Sequence, residues 1–266
     1  MPWAQVHWRS NVIGKQTEMQ VLLPTVGEPP FATLYLLHGI YGDSTNWLRH
    51  SRLEWYLRDL PLIVVLPDGD RGFYTDNDEG PAYARHMGEE LPAFVERTFH
   101  AKPARGARAI GGLSMGGYGA LRVALGFPDR FCSVHSHSGA VMRLNLDLSP
   151  RQAKKDAVLR NHPPEFLDEL RRVFGRRPMG TEHDLLVLVR RARRHHRRLP
   201  RILLDCGTED SLLVHNREFH QRLVDHQVPH TYREFPGGHD WDYWDLHIRE
   251  AIAFHARNLH LSPPAK

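Results

Sequence analysis

Short runs of apolar residues recur along the chain, and between them lie longer segments whose apolar positions return every three to four residues. The runs Val6–Val12, Glu18–Leu23, Thr33–Leu37, Leu62–Leu66, Ala107–Gly111, Cys132–His137, Arg201–Cys206 and Thr231–Phe235 predict eight strands. Several are almost continuously apolar, which is how strands covered on both faces read. Helices are predicted at Arg52–Arg58, Glu89–Thr98, Met115–Leu125, Leu212–Asp225 and Trp241–Asn258. In the last, Trp244, Ile248, Ile252 and His255 share one helical face, as expected of a terminal helix packed on a sheet. Only Ile13-Gly14-Lys15-Gln16 separates the first two strands, so they pair antiparallel, and parallel crossovers follow. The pattern predicts an α/β fold with a mostly parallel eight-stranded sheet between layers of helix.

The interval 141–199 breaks this rhythm. It separates two strands that should be neighbours, carries helix-like pieces near Pro164–Phe174 and Glu182–His196, and reads as a cap-like insertion. With 266 residues the chain is long enough for one domain, 1–266, carrying that insertion. Much of the formal net charge of +4 comes from Arg190-Arg191-Ala192-Arg193-Arg194-His195-His196-Arg197-Arg198, read first as a solvated helix face or loop and second as a means of steering anionic substrates. No nucleic-acid recognition motif accompanies it, so no nucleic-acid partner is expected. No apolar run is long enough to span a bilayer, and no apolar h-region follows a basic start, so no membrane contact and a cytoplasmic location are expected. The two cysteines, Cys132 and Cys206, are expected as buried free thiols near opposite edges of the sheet. The 19 histidines show no metal-binding spacing, so no metal is expected. Homo-oligomerisation is left open.

Chemistry concentrates where the fifth strand meets a helix. Gly112-Leu113-Ser114-Met115-Gly116 places a serine between two glycines at a strand-to-helix turn, the pattern of a nucleophile elbow that projects the hydroxyl from strained backbone. The helix that follows contains Gly116, Gly117 and Gly119, at about 1 kcal/mol each relative to alanine, which suggests close backbone approach to the sheet. A serine hydroxyl needs a base within hydrogen-bond reach, itself oriented by a third group. His239 lies in the loop Phe235-Pro236-Gly237-Gly238-His239 after the last strand and is the expected base. Asp205, Glu209 and Asp210 compete for the acid at the end of Leu203-Leu204-Asp205-Cys206-Gly207-Thr208-Glu209-Asp210. Asp210 is preferred, because Asp205 lies inside the strand where it can serve structure, and Glu209 remains the alternative. The order Ser114, Asp210, His239 is that of α/β-hydrolases. Oxyanion donors are expected from the N–H of Met115 and from the N–H of Ile40, in the His38-Gly39-Ile40-Tyr41-Gly42 turn. His38 is read as structural.

These motifs, with Asn46-Trp47, Pro67-Asp68-Gly69-Asp70, Phe73-Tyr74-Thr75-Asp76, Glu90-Leu91-Pro92 and Ser138-Gly139, resemble the esterase family that includes esterase D (S-formylglutathione hydrolase), tributyrin esterases, feruloyl esterases and the antigen 85 mycolyltransferases. The resemblance runs nearly end to end and is weakest over 141–199. It implies an α/β-hydrolase fold and a triad of Ser114, Asp210 and His239, with oxyanion donors at Ile40 and Met115. It further implies Gly39, Trp47 and Tyr74 as substrate contacts, a small-molecule ester as substrate, and no metal or organic cofactor. The activity expected is hydrolysis of short-chain acyl esters, with a thioesterase of the S-formylglutathione type or an acyltransferase as alternatives.

Overall fold

The computed structural model describes residues 1–141, 148, 155, 159 and 162–261. Its strands are β1 (Trp3–Arg9), β2 (Gln16–Leu22), β3 (Ala32–Leu37), β4 (Leu62–Pro67), β5 (Arg108–Leu113), β6 (Ser133–His137), β7 (Arg201–Gly207) and β8 (Thr231–Phe235). Between them run the helices α1 (Asn46–His50), α2 (Leu53–Leu57), α3 (Tyr83–Arg85), α4 (Leu91–Thr98), α5 (Met115–Gly126), α6 (Pro164–Phe174), α7 (Leu185–Arg194), α8 (Leu213–Asp225) and α9 (Trp241–Asn258).

Alternation along each strand divides the core in two, because successive side chains leave opposite faces of a sheet. Leu34 and Leu36 of β3 join Leu62, Val64 and Leu66 of β4 on one face, where Trp47 of α1, Leu53 and Leu57 of α2, and Trp244, Ile248 and Ile252 of α9 cover them. Tyr35 and Leu37 join Ile63 and Val65 on the other, under Leu91 and Val95 of α4, most of α5, and Phe219 and Leu223 of α8. The described part of the insertion adds α6 and α7 to this second layer through Phe166, Leu170, Phe174, Leu185 and Leu188. Most of the interval 142–161 lies outside the described residues.

All eight strands form one sheet in the order β1-β2-β4-β3-β5-β6-β7-β8. β1 pairs antiparallel with β2, and β2 antiparallel with β4; every later pairing is parallel. The chain steps from β3 outward to β4 and then crosses back to β5 on the other side of β3. This reversal opens a crevice at the carboxyl ends of β3 and β5, the place where open α/β sheets hold their ligands.

Two expectations are corrected. The first strand covers Trp3–Arg9 and not Val6–Val12, because Glu90 draws the N–H groups of Asn11 (2.8 Å) and Val12 (3.3 Å) out of the ladder. The turn is then closed by Ser10 N–H donating to the Lys15 carbonyl at 3.0 Å. Cys132 and Cys206 are buried and free as expected, but they are not at opposite edges. Cys132 immediately precedes β6 and Cys206 ends the neighbouring β7, so the length of the strands separates them. Among the described residues no helix is long and apolar enough to cross a membrane.

Candidate active site

Ser114 stands between β5 and α5 with φ +53° and ψ −115°, outside the regions an L-residue normally occupies. Its backbone is held from both sides. The Ser114 N–H donates to the His137 carbonyl at 2.9 Å, and its own carbonyl accepts from Tyr118 and Ala140, each at 3.1 Å. The elbow glycines permit the crowding: a Cβ at Gly112 would lie 2.6 Å from the Gly116 carbonyl oxygen, and one at Gly116 would lie 2.6 Å from those of Leu37 and His38. Contacts that close are not tolerated by a methyl group, so the helix can reach the end of β3 only with glycine there.

His239 and Asp210 come to the serine on two loops that brace each other. After β7, Thr208 N–H donates to the Phe235 carbonyl (2.8 Å) and Glu209 N–H to that of Gly237 (3.0 Å). His239 Nε2 then lies 3.0 Å from Ser114 Oγ, and its Nδ1 lies 2.8 Å from Asp210 Oδ2. The other oxygen of Asp210 accepts the Leu212 N–H at 2.7 Å. Burial pushes the Asp210 carboxyl up, but the hydrogen bond and charge of His239, together with the Leu212 N–H, outweigh it and hold the group below the ordinary carboxylate value. Trp244 packs edge-on against the His239 ring, with centroids 4.9 Å apart, and donates from Nε1 to Ser138 Oγ at 3.2 Å.

The competing carboxylates have other partners. Glu209 accepts from the Gly237 N–H and the Thr208 hydroxyl, which ties the loops together from outside. Asp205, inside β7, accepts from His137 Nδ1 at 2.7 and 2.8 Å and from the Tyr243 hydroxyl at 3.0 Å. The sequence reading did not find this second His–Asp pair. His137 has no distinguishing motif, and only strand pairing puts it beside Asp205.

The turn after β3 closes with Gly42 N–H donating to the Gly39 carbonyl at 3.0 Å. A Cβ at Gly39 would stand 3.7 Å from Ser114 Cβ and 2.8 Å from Leu113 Cδ1, so the turn lies directly against the serine. Neither the Ile40 nor the Met115 N–H finds an acceptor among the described residues. His38 serves structure, as expected: its Nε2 accepts the Gly69 N–H at 3.0 Å, which leaves Nδ1 to donate to the Gly39 carbonyl at 2.7 Å.

Trp47 and Tyr74 have the burial of supports and not of substrate contacts. Trp47 is 1% exposed and donates from Nε1 to the Leu37 carbonyl at 3.1 Å. Tyr74 has no exposed surface, and its hydroxyl accepts the His38 N–H at 3.1 Å while donating to the His38 carbonyl at 3.3 Å. Both side chains hydrogen-bond the backbone at the end of β3, from opposite faces of the sheet, while the turn at Gly39 lies against the serine.

The arginine run does not reach this site. It leaves the C-terminal end of α7 and enters the amino end of β7, whereas Ser114, Asp210 and His239 gather at the strands' carboxyl ends. Arg193 caps the carbonyls of His226 and Gln227 beyond α8, and Arg197 pairs with Asp129 at 2.8 Å. Arg193 and Arg197 are thus bonded locally, at the opposite end of the strands from Ser114. Among the described residues no group of three or more His, Cys, Asp or Glu is placed to hold a metal ion.

Comparison with known proteins finds relatives over almost the whole chain. The Esterase family model matches residues 10–255. An acetyl esterase from Caldicellulosiruptor saccharolyticus is 31% identical over 261 residues, covering 93% of this chain and 96% of that protein. The apoenzyme structure of an S-formylglutathione hydrolase, FrmB, from Staphylococcus aureus superposes with a TM-score of 0.81 at 28% identity, over 96% of this chain and 98% of that one. FphF, a fluorophosphonate-binding serine hydrolase of Staphylococcus aureus, gives 0.79 at 28% identity with the same coverage. The chain belongs to the Esterase family and is a carboxylic ester hydrolase on an α/β-hydrolase fold.

Proposed function

We propose that the protein hydrolyses short-chain acyl esters through a covalent acyl-serine, with Ser114 as nucleophile, His239 as base and Asp210 as the acid that orients it. The observation that carries the proposal is the unbroken hydrogen-bond chain from Ser114 Oγ to His239 Nε2 and from His239 Nδ1 to Asp210 Oδ2, at 3.0 and 2.8 Å. As Ser114 Oγ bonds to the ester carbonyl carbon, its proton passes to His239 Nε2. The oxyanion is held by the N–H groups of Ile40 and Met115. When the C–O bond of the ester breaks, His239 returns that proton to the leaving alcohol. Water repeats the sequence on the acyl-enzyme, with His239 again as base, and releases the acid and the free serine. The ester is a small molecule, and the likeness to an acetyl esterase supports a short acyl group.

A second reading, thioester hydrolysis of the S-formylglutathione type, is favoured by the likeness to FrmB over almost the whole chain. The chemistry at Ser114 would be the same and the leaving group a thiolate. Two measurements test these readings. A fluorophosphonate probe is expected to label the folded protein and not Ser114→Ala; equal labelling of both sinks the assignment. A hydrolysis panel of acyl esters from C2 to C12 and S-formylglutathione, with Ser114→Ala as blank, is expected to give its highest kcat/KM on acetyl or propionyl esters. A dominant rate on S-formylglutathione would replace the first reading with the second.

A further inference from the structure

Arg71 follows β4 in a loop that takes no part in the proposed triad, yet it touches both the turn after β3 and the insertion. Its Nη1 donates to the Ile40 carbonyl at 3.3 Å, and its guanidinium carbon stands 5.3 Å from the centre of the exposed Tyr41 ring. Its Nε and Nη2 form a two-pronged pair with Glu169 of α6, at 2.5 and 2.6 Å. This pair is partly sheltered, with Arg71 38% and Glu169 19% exposed. Forked, charge-assisted geometry of this kind holds direction as well as distance, unlike a lone surface ion pair.

Glu169 is itself firmly based. α6 buries Phe166, Leu170, Val173 and Phe174, and the Phe174 ring meets those of Phe73 and Tyr118 with centroids 4.9 and 5.8 Å away. The N–H groups of Asp78 and Glu79 also donate to the carbonyls of Val173 (3.0 Å) and Arg172 (2.8 Å). The turn from Gly39 to Gly42 has one internal hydrogen bond, so its central peptide, whose oxygen Arg71 holds, is the part free to rotate. Swinging that peptide changes ψ of Ile40 and carries the Tyr41 N–H with it. The Ile40 N–H sits on the preceding peptide and shares the Ile40 Cα, so a hold on the Ile40 carbonyl keeps that Cα, and with it the N–H, in place.

We propose that Arg71 is a positioning residue that ties the insertion helix to the Ile40 peptide, so that oxyanion binding depends on how the insertion is seated. The proposal rests on the reading of Ile40 as an oxyanion donor, and it assigns the least family-like part of the chain a direct hold on the rate. Arg71 touches the turn and not the reacting atoms. Its loss therefore falls on kcat.

The test is steady-state hydrolysis of p-nitrophenyl acetate by the full chain and its variants, with a thermal unfolding midpoint for each. Arg71→Ala is expected to lower kcat about 10- to 100-fold, less than outright loss of an oxyanion donor, with KM within about twofold. Glu169→Gln, which keeps shape and loses charge, is expected to lower kcat about 3- to 10-fold. The double variant should be no slower than Arg71→Ala alone, because both changes break one tie. Arg71→Lys keeps the charge without the fork and should stay within about threefold of Arg71→Ala. Full kcat in Arg71→Ala, complete recovery in Arg71→Lys, independent multiplication of the two single effects, or a loss that simply follows the unfolding midpoint each overturns the proposal. Should Arg71→Ala not fold, Arg71→Lys and Glu169→Gln carry the same test. Activity surviving in Ser114→Ala would overturn the functional reading itself; an inactive Ser114→Ala beside a fully active Arg71→Ala overturns only the tie.

Discussion

At the scale of single residues, three carboxylates within six positions are separated by what each one's oxygens accept. Asp210 receives His239, Glu209 receives the backbone of the base-bearing loop, and Asp205 receives His137 and Tyr243. Asp210→Asn, which offers the imidazole an amide and favours the wrong tautomer, is expected to reduce kcat about 10⁴-fold with the fold intact. Glu209→Gln should stay within about threefold, since a solvent-exposed loop brace adds little to transition-state stabilisation. Comparing the two rates on one acyl ester decides between them, and a larger loss at Glu209 would exchange the assignments. The position of Asp210 past the end of β7 was legible in the sequence. The burial of Trp47 and Tyr74 was not legible, since a motif names residue types and leaves open whether they face the ligand or brace the backbone behind it.

At the scale of elements, the strand-turn-helix around Ser114 could be read from glycine placement alone, because close backbone approach leaves a compositional mark. The clash distances give that mark its physical content. Gly116→Ala forces a methyl group onto the carbonyl oxygens of Leu37 and His38, which cannot withdraw without dragging the end of β3. A cost of about 1–3 kcal/mol is expected, with loss of most activity because the turn bearing Ile40 moves with the strand. Denaturant unfolding and esterase rate measured together check it; a fully active, fully stable variant would show that the contact is not tight. By contrast, the boundaries of β1 were hidden. A carboxylate almost eighty positions away decides where that ladder stops, and no local pattern announces it.

At the scale of the whole molecule, the sheet and its two covering layers were legible because near-continuous apolar runs allow few other folds, while the insertion resembles nothing local. A buried histidine chain crosses the interior unannounced: Ser133 Oγ to His255 Nδ1 at 2.8 Å, then His255 Nε2 to His135 Nδ1 at 2.7 Å. Burial, reinforced by His137, depresses His255 to about 3 and holds His135 well below the ordinary histidine value. Burial, then Arg122, lowers His183 to about 4. Unfolded histidine binds its proton near ~6.5, so below that pH the unfolded chain takes up protons that the folded one refuses. Their contribution to stability is therefore complete above about pH 6.5 and is lost as pH falls toward the folded values. The unfolding midpoint is expected to drop between pH 7 and 5, and to drop less in His183→Gln; parallel curves for the two proteins would remove His183 from the account.

The bracing of one loop by another has a consequence in time. Ser114 and His239 are 125 positions apart, and the loop bearing His239 takes its place only against the end of β7. At ribosomal speeds of about 5–20 residues per second, the serine emerges roughly 6–25 s before its partner exists. During that interval the nascent chain carries the elbow without a base, so the proposed acyl chemistry begins only once synthesis has passed the last strand.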